Sequence, residues 1–333
     1  MRRITYVLAV AACFVPAAHA HHSTSAVYTR DGALIEAEGV ITNVAWVNPH
    51  VRFEMRGKGA DGVERLWKLE SNSVSIVSRF GLSAEVVAAG TRVKVAGAGG
   101  RQANDVMFLT NMLLPSGQEI LFGAGIQPRW SQQTIGSDTR GAVTADTQKL
   151  GIFRVWTNVT SPPAFWGNNF PLTQSAAAAR AAFDPIRDDP TKNCAPKGMP
   201  YVMEQPYPIE FVRDGDDILL RMEEYDTVRR IKMSSAAPKN ATATLLGDSY
   251  GQLNPQTLTV TTANVGYRWL NGNGIPLGPG AMLDEVFALS DDGSRLSYTL
   301  TVTDPATFTA PVALRKSWEW RPGERVNPYQ CRQ

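Results

Sequence analysis

Apolar and polar residues alternate in short runs along most of this 333-residue chain, the period-two pattern of half-buried strands. Residues 33–47 form one long run with β-branched positions, long enough to bend. Residues 51–55 follow an Asn48-Pro49-His50 turn, the glycine-bearing stretch 57–62 predicts a hairpin loop, and residues 63–70 alternate as a third strand. Asn72 or Ser73 is placed to cap a short helix through Ser78 that stops near Gly81. Residues 91–96 and 105–114 complete five strands. The order β-β-β-α-β-β is that of an OB-like five-stranded barrel.

Residues 127–148, rich in Gly, Ser, Thr and Gln with little apolar period, predict a linker. A second β domain then covers 149–333. It opens with a strand at 150–156, and Thr173 caps an alanine-rich helix through Phe183. After a proline-rich stretch, strands are expected at 209–213, 217–224, 227–233, 257–263, 282–290, 295–302 and 312–320. Asp214-Gly215 and Asp292-Gly293 are hairpin turns. Short connections predict an antiparallel meander, closed into a barrel to remove its edges. Leu296, Tyr298, Leu300 and Val302 share one face, as do Val312, Leu314, Trp318 and Trp320 with Lys316 among them. These stripes predict core, with the lining of an apolar ligand cavity as the alternative. The opening Gly151-Ile152-Phe153 followed by a meander is similar to lipocalin-type barrels, with Phe153 where those place Trp. The expected fold class is therefore all-β: an OB-like barrel followed by a lipocalin-like antiparallel barrel.

Composition narrows the address and the partners. Arg2 and Arg3, an apolar run over 4–16 and the small-residue site Ala18-His19-Ala20 predict a secretory signal over residues 1–20. Those arginines are its only charges, so the remaining 31 basic and 31 acidic residues balance. No basic patch or run stands out, which argues against nucleic acid as a partner. No second apolar stretch approaches the ~20 residues of a membrane span. A periplasmic or secreted location follows. Cys194 and Cys331 would then remain as an even pair in an oxidising compartment, which predicts one disulfide. An alternative processing site, Val10-Ala11-Ala12-Cys13, resembles a lipobox, and lipidation at Cys13 would leave His21 internal.

Histidine placement carries the chemistry. Of His19, His21, His22 and His50, cleavage after Ala20 removes the first and makes His21 the N-terminus. Its α-amine and imidazole then form a chelating pair, and such nitrogens suit copper, nickel and zinc. His50, stiffened by Pro49, offers a third nitrogen. His22 is a further ligand, though adjacent side chains diverge on extended chain. Glu70, at the end of the third strand, is placed to bind directly or to orient a ligand. Three nitrogens in one plane fit Cu(II), so the expected cofactor is copper at a domain spanning 21–126.

Ala20-His21-His22-Ser23, Trp46-Val47-Asn48-Pro49-His50, Trp67-Lys68-Leu69-Glu70 and Leu114-Pro115-Ser116-Gly117 carry a resemblance over residues 20–122. The segment resembles a family of exported bacterial domains of unknown function, with Ser116 a departure from that family's Asp. The second segment is similar to a companion region of uncharacterised bacterial proteins through Asp188-Asp189-Pro190, Cys194, Gly198-Met199-Pro200, Tyr207-Pro208-Ile209-Glu210 and residues 225–231. The resemblance implies no activity or substrate.

In the second domain Arg221, Glu223 and Tyr225 are expected on one strand face with Arg229 on the neighbouring strand. Inside a barrel this set could hold a carboxylate ligand or activate a hydroxyl; outside it would be a solvent face with cross-strand ion pairs. No Gly-x-Ser-x-Gly occurs and the second domain has no histidine, so Ser-His-Asp and Cys-His catalysis have little support. The leading expectation is a periplasmic copper-binding or copper-handling protein with a small apolar ligand as a further partner. The alternatives are an exported enzyme, by copper-dependent oxidation or acid/base chemistry in the second barrel, and a structural envelope protein.

Overall fold

The computed structural model describes residues 24–29, 32–123, 125–136, 149–158, 166–167, 169–191, 194–234 and 242–331. The expected signal with Cys13, together with His21 and His22, lies outside them.

Alternation builds the first barrel. Strands β1 (Ile35–Ala45), β2 (Arg52–Gly59), β3 (Glu64–Glu70), β4 (Arg92–Gly99) and β5 (Val106–Leu113) run in ring order β1-β2-β3-β5-β4. A parallel seam between β3 and β5, pairing Leu69 with Met107 and Glu70 with Phe108, closes the ring. Ile41, Phe53, Met55, Trp67, Leu69, Val95 and Met107 fill it, each at most 2% exposed. The long β1 bends at a bulge between Ile41 and Asn43. Gly39 pairs with Gly57 across β1 and β2, where a Cβ on Gly39 would lie 2.7 Å from the Gly57 Cα, so two glycines let the strands approach. Strand β2 runs to Gly59, so the hairpin turn is shorter than its glycines suggest. A helix over Val74–Arg79 follows β3, and Ser73 caps it by accepting from the Ile76 N–H at 3.4 Å. The OB-like order expected from the sequence is present.

Two short strands extend this barrel, β6 (Glu119–Leu121) and β7 (Thr134–Ile135). Residues 127–136 therefore still pack on barrel one, and the remainder of the expected linker lies outside the described residues. Their anchor is buried Glu119, which accepts backbone N–H bonds from Arg129 at 2.8 Å, Trp130 at 2.8 Å and Ser131 at 2.9 Å. Burial pushes this carboxyl up, but those bonds and the Asn111 amide together outweigh it and hold the pKa below the usual range.

Nine strands make the second barrel: β8 (Val155–Asn158), β9 (Ile209–Asp214), β10 (Asp217–Met222), β11 (Thr227–Lys232), β12 (Asp248–Leu253), β13 (Thr257–Ala263), β14 (Met282–Leu289), β15 (Arg295–Thr303) and β16 (Val312–Trp320). Each neighbours the next in sequence, and β16 pairs with β8 to close the ring. The meander is antiparallel except between β11 and β12, where Ile231 pairs with Ser249 in parallel. Thr173 caps the helix Gln174–Ala182 as expected. Strand β10 ends at Met222, two residues short of the expectation, because Tyr225 (φ 54°) and Asp226 (φ 50°) turn the chain.

Both predicted stripes point inward. Leu296, Tyr298, Leu300, Val302, Leu314 and Trp318 are buried in one apolar cluster. Ring contacts continue across the interior, from Phe211 to Phe287 (5.2 Å), Phe287 to Tyr298 (4.7 Å) and Tyr298 to Trp318 (5.6 Å). Core packing, rather than a ligand lining, is what these residues do. Among the described residues no helix is long and apolar enough to cross a membrane.

The C-terminal segment after β16 joins the barrels. Glu324 pairs with Arg79 of barrel one at 2.8 Å, while the Asn327 N–H donates to Glu223 of barrel two at 3.1 Å. The Tyr329 N–H donates to Asp226 at 3.0 Å, and its hydroxyl lies 3.1 Å from that of Tyr207. Asn48 of barrel one bonds the Tyr329 carbonyl. The expected disulfide between Cys194 and Cys331 then fixes the end of this segment.

Candidate functional site

His50 sits at one end of the parallel seam. Val51 continues β2 backwards, accepting from the Ser71 N–H at 2.9 Å and donating to the Asn72 carbonyl at 3.1 Å. Glu70 ends β3 opposite Phe108 of β5. The three side chains meet there: His50 Nδ1 lies 3.5 Å from Glu70 Oε1, and the imidazole meets the Phe108 ring edge-on at 6.0 Å. Nδ1 is also 2.7 Å from the Ser71 carbonyl oxygen. A carbonyl only accepts, so Nδ1 carries a proton, and in the neutral imidazole the lone pair is then on Nε2. Metal-ligating imidazoles are oriented in this way. At 22% exposure the His50 side chain remains open to solutes.

Tyr28 brings the start of the described chain to the same place. One turn of helix, Thr24–Val27, leads into it, and it bridges to Gly100 beyond β4. Its hydroxyl donates to Glu70 Oε2 at 2.6 Å. Burial first, and then the charge of Glu70, raise the phenol far above its ordinary pKa, so it stays a donor. Both Glu70 oxygens are thereby engaged, one by Tyr28 and one facing His50 Nδ1. Glu70 is placed to orient the imidazole. Asn48, two residues before His50, uses its side chain elsewhere: it accepts from the Val74 N–H at 3.1 Å and donates to Tyr329.

Arg221, Glu223, Tyr225 and Arg229 do not form one site. Arg221 is on the outside of β10, paired with Glu210 at 2.8 Å, the solvent-face arrangement. Arg229 points into the barrel, 1% exposed, where it meets Glu285 Oε2 at 2.8 Å, Ser249 at 2.9 Å and Thr262 at 2.6 Å. Glu223 and Tyr225 lie in the turn after β10, at the joint, with the Tyr225 ring 4.8 Å from that of Tyr329. The expected single face fails because β10 stops at Met222 and the side of β10 carrying Arg221 is opposite to the side of β11 carrying Arg229.

A buried polar cluster on the barrel-two side of the joint was not anticipated. Lys197 pairs with Glu224 and donates to Gln205 at 2.9 Å. Its ammonium stands 5.0 Å over the ring of Tyr201 and 6.0 Å over that of Tyr225. Lys316 reaches inward from β16 to donate to the carbonyls of Met203 (3.0 Å) and Gln205, and burial pushes its pKa down to about 7. Glu204 accepts from the Trp166 N–H at 2.6 Å, and burial pushes its pKa up to about 7. Burial also raises Glu224, opposed by Lys197, then by Lys316 and by His50 across the joint. Lys316 interrupting an apolar face was the one signal of this cluster in the sequence.

Residues 9–107 match a family of unknown function, DUF6152. The match takes in His50 and Glu70 and ends within β5. No curated protein matches the sequence.

Proposed function

We propose that the chain is an exported protein that binds a metal ion, with copper the leading candidate, at the end of barrel one marked by His50. The observation that carries this reading is the hydrogen bond from Tyr28 to Glu70. It holds the start of the described chain beside an imidazole whose Nδ1 is bonded to the Ser71 carbonyl, which leaves Nε2 as the nitrogen that would bind. Among the described residues no three His, Cys, Asp or Glu side chains gather to hold an ion, so the further ligands must come from outside them. His21 and His22 lie three and two positions before Thr24, a stretch that spans at most about 11 Å when extended. His21 as a cleaved N-terminus supplies an amine and an imidazole, and with His50 makes three nitrogens, a set suited to Cu(II). Glu70 Oε1 faces the imidazole 3.5 Å from Nδ1, beside the Ser71 carbonyl that takes the Nδ1 proton, and the pair orients His50. Export is supported by the N-terminal sequence and by a disulfide that suits an oxidising compartment.

The bound ion would be held, carried or passed on by this protein. Binding requires neutral nitrogens, so affinity falls as pH drops below about 6–7. N-terminal sequencing of the exported protein, followed by Cu(II) titration under EPR, tests the reading. A His21 N-terminus and a nitrogen-rich copper signal that His50→Ala and His21→Ala each abolish are expected. A blocked or different N-terminus, or copper binding unchanged in both variants, overturns it.

A further inference from the structure

The alternation that buries Ile209 and Phe211 on the inward side of β9 places Arg213, the next residue of that parity, at the mouth of barrel two. Leu253 ends β12 in the same way, after inward Ser249 and Gly251. Before β8, a turn closed by the Phe153 N–H on the Leu150 carbonyl at 3.1 Å, with Gly151 at φ 56°, brings Leu150, Ile152 and Phe153 to these strand ends. Between them lies an open cavity of about 350 Å³, within the size range of small-molecule sites. Ile152 belongs to the barrel core, and Phe153 and Leu253 pack on it, while Leu150 is 48% exposed. The Arg213 guanidinium stands 3.9 Å from the centre of the Phe153 ring. Lys149 also lines the cavity, and among the described residues no acidic side chain does. The nearby carboxylates of Asp214 and Asp217 are both taken by Arg230, at 2.5 Å and 3.2 Å.

We propose that this cavity binds an aliphatic carboxylate of medium chain length. Its carboxylate meets Arg213, and its tail lies along Leu150, Ile152 and Leu253. Three features select this chemistry. The lining carries two cations and no acid, so it complements an anion. Arg213 sits over the Phe153 ring and makes no ion pair among the described residues, so its N–H groups can take both oxygens of a carboxylate in parallel. With the guanidinium over Phe153, the rest of the apolar wall is aliphatic and suits a hydrocarbon tail, whose removal from water favours binding. The site shares no residue with the His50 centre and does not depend on a metal there.

Titrating the full chain with octanoate, octanol and butyrate under ligand-observed NMR tests the proposal. Saturable octanoate binding is expected, about tenfold or more tighter than octanol, which lacks the charge, or butyrate, which lacks the tail. Arg213 is exposed, so Arg213→Gln should stay folded while weakening octanoate about tenfold. Leu150→Asp sets a like charge beside the carboxylate and removes apolar wall, and it should weaken octanoate as well. No saturable octanoate binding to the wild type, octanol bound as tightly as octanoate, or an affinity unchanged in both folded variants overturns it.

Discussion

Asn48 donates its side-chain amide to the backbone carbonyl of Tyr329, 281 positions further along the chain. The same side chain accepts from the Val74 N–H at the start of the barrel-one helix, so it ties three segments together. Asn48→Ala leaves both partners unmatched at a buried joint. Loss of about 1–3 kcal/mol is expected in urea unfolding. Amide exchange should rise at residues 327–331 and stay unchanged in β13–β15. Unaltered exchange in the tail would show that Asn48 does not hold it.

Cys331 lies two residues beyond that contact and closes a loop 137 positions long with Cys194. Cys331→Ser should destabilise by about 2–5 kcal/mol, more than Asn48→Ala. Dithiothreitol should lower the wild-type Tm to that of the variant and leave the variant unmoved. A wild-type Tm insensitive to reductant would mean the tail is held by its other contacts.

Local pattern made much of the fold legible. Alternation located β1 to β5, and Asn72 or Ser73 and then Thr173 marked the starts of the two longer helices, because strands and caps are set by residues a few positions apart. Strand β12 was not legible: in Asp248–Leu253 the inward positions are Ser249 and Gly251, which carry no apolar signal. Its parallel pairing with β11 is a tertiary outcome without a local cue. His50 and Glu70 stood out by residue type, and the seam between β3 and β5 brought them together. The Lys197–Glu224 cluster stayed hidden, because its members come from separate loops that only barrel closure and the C-terminal tail bring into contact. Positive φ at Tyr225, a non-glycine residue, gave no warning that β10 would end.

Arg229 and Glu285 form a buried pair inside barrel two, joined by the Tyr298 hydroxyl, which donates to Glu285 Oε2 at 2.9 Å. Arg229→Leu alone strands a carboxylate in the core and should cost about 3–5 kcal/mol. The double variant Arg229→Leu, Glu285→Leu should recover most of that loss, since no charge is left behind. Chemical unfolding of the single and double variants measures the difference. A double variant as unstable as the single one would assign the cost to lost packing.

Glu204 and Lys316 give stability opposite pH dependences on either side of neutrality. The Glu204 pKa rises from 4.5 to about 7 on folding, so the folded chain holds an extra proton between those values. Its contribution is complete below about 4.5 and is lost as pH rises through about 7. The Lys316 pKa falls from 10.5 to about 7, so there the unfolded chain holds the extra proton, and stability rises with pH from about 7 to 10.5. Together the two groups place a local minimum of stability near pH 7. In Tm measured against pH, Glu204→Gln should flatten the acid arm and Lys316→Met the alkaline arm. An alkaline arm that survives in Lys316→Met would assign the rise to another group.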